Sequence, residues 1–197
     1  MNAPVTIFLM AAILLMAIIS SFNRKIRLNL VLYPFSVLKQ QEYYRLVSAD
    51  FIHNDFIHLA LNEYLLYAYG ANLEDYLNAS GSYGSLKFAV IYLISCLSGT
   101  IVTTMINRKN FGFSSAGASG SIMGCLFGYV MLRPKRVALY LPVFGSIINL
   151  YWGLICILLI IIYTWKSQND LISEQQHFFG ALGGIMTTLL LVPGIIK

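Results

Sequence analysis

Ser119 stands in the tetrapeptide Gly117-Ala118-Ser119-Gly120, where a polar loop gives way to an apolar run that ends at Leu132. His177 stands at the start of the last apolar run, and His58 and Asn62 stand near the start of the second. A serine hydroxyl is a weak nucleophile at neutral pH until a base within hydrogen-bond reach takes its proton. His177 is the candidate base, and its imidazole can return the proton to a leaving group as general acid. Acyl transfer also needs donors aimed at the developing oxyanion, each contributing about 2.7 to 4 kcal/mol. His58 and Asn62, four residues apart and so on one helical face, are candidates. The first peptide N–H groups of the following helix, at Ala118 and Ser119, are others, because they lack an intrahelical partner and lie at the positive end of the helix dipole. Only Glu174 offers a carboxylate near His177 in the chain, and it is expected to face a loop, so the predicted unit is a dyad. The constellation reads as a serine hydrolase working inside a bilayer.

Metal chemistry is disfavoured by the same residues. His53 and His58 are five apart and point in different directions if both lie on a helix, and no HExxH motif or Cys/His cluster completes a zinc site. No metal and no cofactor is expected. His53 is expected to hydrogen-bond its loop. Cys96, Cys125 and Cys156 fall inside apolar stretches without ligand spacing and read as small core residues.

The elements that must position these groups are membrane helices. With 58% hydrophobic residues, 11% charged and a mean hydropathy of +0.71, the chain departs from soluble domains, where roughly a quarter of residues are charged. Apolar runs extend over Pro4 to Phe22, Phe51 to Leu73, Leu86 to Ile106, Ala118 to Leu132, Leu139 to Trp165 and Gln176 to Ile196. The reading is an all-α multi-pass membrane protein with six spans, one membrane domain over 1–197 and no separate soluble domain. The first run is expected to be a retained span and not a signal peptide. The connection from Asn23 to Asp50 is too broken to span and is expected to lie in the interface. A net charge of +5 without a basic stripe or aromatic platform argues against nucleic acid as a partner and for the lipid bilayer itself.

Parity puts the N-terminal ends of the second, fourth and sixth helices on one side. Asn62 lies 12 residues before Glu74, Ser119 lies 14 before Arg133, and His177 lies 16 before Pro193. At 1.5 Å per residue these are about 18, 21 and 24 Å, so the polar groups share a depth below the surface. Small residues let membrane helices approach closely, and Gly120, Gly124 and Gly128 recur every four residues in the fourth run, as do Gly180 and Gly184 in the sixth. His177 precedes Gly180 by three and Gly184 by seven, so it shares their face and is expected to point at Ser119.

The segments Tyr43-Tyr44-Arg45-Leu46, Phe51-Ile52-His53, His58 with Asn62, Gly70 with Glu74, Gly117-Ala118-Ser119-Gly120 and His177-Phe178-Phe179-Gly180 resemble, in their usual order, the signature of the rhomboid intramembrane serine proteases. The resemblance runs from about Gln41 to Gly184. It implies a compact six-helix bundle with a membrane-embedded first loop, Ser119 as nucleophile and His177 as general base and acid. It further implies an oxyanion hole from His58, Asn62 and the Ser119 N–H, and structural roles for Arg45 and Glu74. It implies substrates that are transmembrane segments of other proteins, and residence in a membrane, here expected to be a bacterial cell (inner) membrane. Met123 stands where many members carry an aromatic residue beside the histidine, and Tyr44 replaces a usual tryptophan. Counting Lys and Arg over the loops favours the orientation opposite to the one the resemblance implies. Two other classes are weighed against the protease. A catalytically inactive rhomboid-like chaperone or scaffold for membrane helices is disfavoured by the intact Ser119 and His177. A proton-relay transporter is disfavoured by the lack of broken-helix repeats.

Overall fold

Each of the six apolar runs carries a helix in the computed structural model, which describes residues 2–142, 145–166 and 173–196. Helix α1, Pro4–Phe22, opens with proline, whose fixed φ and missing N–H suit the first helical position. The connection that follows folds into short helices α2 (Arg24–Leu30), α3 (Pro34–Lys39) and α4 (Arg45–Ser48), the last running into a 3-10 turn at Ala49–Phe51. Arg45 organises this connection: its Nη1 donates to the carbonyls of Leu28 and Val31 at 2.9 Å, and its Nε pairs with Glu42 at 2.5 Å.

Asp55 caps α5 (Phe56–Leu65) by accepting from His58 N at 2.7 Å. A wider, π-type turn over Leu66–Ala71 joins α5 to α6 (Asn72–Ala79), so one continuous rod runs from residue 56 to 79. The rod therefore starts at Phe56 rather than Phe51, and His53 precedes it outside any helix. The expectation that His53 and His58 diverge on one helix is corrected by that start: their rings meet edge to face, with centroids 5.1 Å apart. Glu74, fully buried, accepts from Val5 N, Thr6 N and Thr6 Oγ1 at 2.8 to 3.0 Å. It thus satisfies the unpaired N–H groups at the start of α1 and places a negative group at that helix's positive end.

The remaining helices are α7 (Gly84–Ile106), α8 (Ser119–Leu132), α9 (Asn149–Lys166) and α10 (Glu174–Leu191). By length and composition α1 and α7 suffice to cross a membrane, and α8 is a shorter apolar helix. An all-α chain is not what forms. Val137–Leu141 (β1) pairs antiparallel with Gly145–Ile148 (β2), so the run from Leu139 begins as a hairpin and becomes helical only at Asn149. Gly145, at φ +79°, takes a conformation other residues avoid, and Val, Tyr and Ile suit strands better than helices. The element is nevertheless small beside the helices.

The core lies where α7, α8 and α10 meet the rod: Leu66, Leu73, Phe88, Ile91, Ile122, Cys125 and Leu126 are all buried there. A Cβ on Gly180 would strike the Gly120 backbone, and one on Gly184 the Gly124 backbone, while one on Gly128 would come within 2.6 Å of Thr188 Oγ1. Helices α8 and α10 thus meet backbone to backbone. In lipid such contact is held by close packing and not by expulsion of water, so it has no side-chain substitute. Gly180→Ala is expected to lower stability by about 1 to 3 kcal/mol through overpacking. Gly81→Ala, where a Cβ meets open space, is expected to change little. Unfolding midpoints in mixed detergent check the pair; equal midpoints would contradict the packing.

Candidate active site

Ser119 is the first residue of α8, and what precedes it is held from the side of the short helices. Leu32 and Ser115 exchange backbone hydrogen bonds at 2.9 and 3.0 Å, and Gly117 N donates to Ala49 O at 2.9 Å. Gly117 has φ +121°, open to glycine, and a Cβ there would come within 2.5 Å of His58 Cε1, so the His58 ring packs directly against this bend. The bend ends the loop and turns the chain into α8 with the Ala118 and Ser119 N–H groups unpaired by the helix.

His177 is placed by the start of α10. Ser173 caps that helix, its hydroxyl accepting from Gln176 N at 3.2 Å, and Ser-x-x-Gln is the sequence pattern of such a cap. Glu174, not Gln176, is the first helical residue, so His177 sits in the first turn. His177 Nε2 lies 2.5 Å from Ser119 Oγ. A neutral imidazole with Nε2 facing a hydroxyl is the arrangement of a base ready to accept its proton. Among the described residues no Asp or Glu is bonded to His177.

Of the candidate oxyanion donors, the structure brings His58 against Gly117, two residues before Ser119. Asn62 is buried one turn further along α5, with its Nδ2 2.9 Å from His53 Nε2. Met123, one turn after Ser119, is half-buried against the core. Gly120 faces α10, where a Cβ would meet Gln176 within 3 Å, and a Cβ on Gly124 would strike Ser95 of α7 before it reached Gly180 O, so neither position has room for a side chain. The wide apolar groove between α7 and α10, lined by Ile94, Ile101, Phe179, Leu182 and Met186, contains no titratable group and lies apart from this chemistry.

Two further residues shape the site without having stood out in the sequence. Gln176 fills the gap between α7, α8 and α10: a Cβ at Gly99 or Gly120 would meet it within 3 Å, and its Oε1 accepts from Ser115 Oγ at 3.0 Å. Asp50, only 1% exposed, accepts from Ser121 Oγ in the first turn of α8. Burial pushes the Asp50 carboxyl up, and the Ser121 hydroxyl opposes that shift. No periodicity marks either residue; a lone Asp ending a polar loop looks like any solvated charge.

The family model described as Rhomboid domain matches residues 40–194. The chain is 28% identical over 156 residues to Rhomboid protease GluP of Bacillus subtilis (strain 168), covering 79% of this chain and 27% of that protein. It is 26% identical over 191 residues to RHOMBOID-like protein 4 of Arabidopsis thaliana, covering 81% and 46%. It is 28% identical over 124 residues to RHOMBOID-like protein 6, mitochondrial, of the same plant, covering 60% and 38%. The chain thus spans less than half the length of these relatives.

Ser121→Ala strands the buried Asp50 carboxyl without its hydroxyl donor and is expected to lower stability by about 1 to 3 kcal/mol. Asp50→Asn keeps an acceptor and is expected to cost less. Thermal unfolding of the purified variants checks the order, and a Ser121→Ala protein as stable as wild type would contradict the role given to this bond.

Proposed function

The chain belongs to the rhomboid family, and from that premise we propose that it is an intramembrane serine endopeptidase using Ser119 and His177. The observation that carries the reading is the 2.5 Å approach of His177 Nε2 to Ser119 Oγ at the head of two helices packed glycine on glycine. In the proposed bilayer setting six helices span the membrane, the residue 23–50 segment lies embedded at one surface, and a substrate helix enters sideways. The host is proposed to be a bacterial cell membrane.

Ser119 Oγ attacks a backbone carbonyl carbon of the substrate helix while His177 Nε2 takes the hydroxyl proton. The carbonyl oxygen, now an anion, is met by the Ser119 and Ala118 N–H groups at the positive end of α8, by His58 and by Asn62. Collapse of the tetrahedral intermediate breaks the C–N bond, and His177 passes its proton to the leaving amine. Water then attacks the acyl-enzyme with His177 again as base, releasing the new carboxylate and restoring Ser119. The chemistry asks for no metal and no cofactor, since base, acid and electrostatic stabiliser all come from the chain. A polar site at membrane depth costs several kcal/mol if left unsatisfied, which is why mutual hydrogen bonding of its members matters.

Purified wild-type protein in detergent is expected to cut a generic single-span substrate. Ser119→Ala and His177→Ala are each expected to lose at least about 10³-fold in kcat with the fold intact. Wild-type protein that binds such a substrate without cutting it would contradict the reading and favour a helix-binding scaffold.

A further inference from the structure

We propose that His53 is a positioning residue that holds the Asn62 amide in the orientation required by the candidate oxyanion hole. This rests on the protease reading above and deepens it. Asn62 is 2% exposed, and its Nδ2 lies 2.9 Å from His53 Nε2. A side-chain amide turns about its last bond at little cost unless a neighbour distinguishes its nitrogen from its oxygen. His53 is that neighbour in the tautomer that carries its ring proton on Nδ1. With Nε2 accepting, the ring proton sits on Nδ1, one amide hydrogen of Asn62 is committed to His53, and the second remains for an oxyanion. Turned the other way, Asn62 would present its carbonyl oxygen to a negative charge.

His53 is itself fixed in place. It sits in the short non-helical segment between the 3-10 turn at Ala49–Phe51 and α5, is 8% exposed, and packs edge to face on His58 with an interplanar angle of 65°. Asp55, two residues on, caps α5 through the His58 N–H. Both side-chain donors assigned to the oxyanion therefore touch one ring, Asn62 by a hydrogen bond and His58 by its face or edge. The short segment 53–55 sets the positions of two groups on a helix that it precedes. Nε2 is already engaged by Asn62, so His53 is not free to serve as a base, and among the described residues it belongs to no group of three metal-ligating side chains.

The test is steady-state cleavage of a single-span substrate by the full purified chain, comparing wild type, His53→Leu, His53→Gln, Asn62→Ala and the His53→Leu/Asn62→Ala double variant. His53→Leu is expected to lower kcat about 10- to 100-fold with KM unchanged, as misplacing one oxyanion donor should. His53→Gln places an amide oxygen where Nε2 stood and is expected to recover most of kcat. His53→Leu is expected to add nothing on top of Asn62→Ala, because the two residues act as one unit. If His53→Leu does not fold, His53→Asn, which stays polar but ends short of Asn62, carries the same expectation. Full kcat in His53→Leu or His53→Asn overturns the assignment and leaves the protease reading standing. So does a His53→Gln variant no better than His53→Leu, or losses that multiply in the double variant. Wild-type protein that does not cleave overturns the protease reading and this assignment with it.

Discussion

The backbone contact between α8 and α10 is the constraint on which the rest of the site depends. At Gly120 with Gly180, and Gly124 with Gly184, the two chains touch where any Cβ would intrude. Ser119 neighbours the first of these glycines, and His177 lies one turn before its partner. The separation of the helices therefore sets the separation of Oγ and Nε2, and 2.5 Å is reached because nothing larger than hydrogen stands between the backbones. Lipid offers no hydrophobic reason for helices to associate, so close packing and interhelical hydrogen bonds must supply it. Gln176 of α10 also accepts a hydrogen bond from Ser115, in the segment that leads into α8.

A second restraint comes from the chain between α1 and α5. Arg45 ties that connection to itself, and the connection in turn holds the approach to α8 at Leu32, Ala49 and Asp50. The backbone bonds among these have a net worth of only about 0.5 to 1.5 kcal/mol each and those of the Arg45 guanidinium about 1.5 to 3, while leaving one partner of a buried pair unsatisfied costs about 1 to 3 kcal/mol or more. The energetic asymmetry makes the arrangement specific as well as stable. Ser119 is thus fixed from two directions, by α10 on one side and by the short helices on the other.

The sequence made the helical rods and the glycine faces legible because each rests on a period that a row of residues repeats. Gly120, Gly124 and Gly128 recur every four residues, and the spacing of His177 from Gly180 and Gly184 puts all three on one face. Residues that act singly left no such trace. Asp50 meets Ser121, 71 positions away, through a turn that no pattern announces. His53 looked like a loop residue five places from His58, and its contact with Asn62 follows from where α5 begins, which the Asp55 cap decides. The hairpin from Val137 to Ile148 was hidden because its apolar residues run on into α9, and a short apolar run reads equally as strand or helix. The π-type turn over Leu66–Ala71 is equally silent, since one widened turn shifts the phase of a helix without changing its composition.

The central claim is that packing α8 on α10 makes Ser119 nucleophilic through His177. The most direct measurement is the rate at which a fluorophosphonate forms its adduct, with the modified residue located by mass spectrometry, in wild type and in His177→Ala. The account predicts an adduct on Ser119 alone, forming at least about 10²-fold more slowly without the histidine. An adduct elsewhere, or an equal rate in the two proteins, would contradict it.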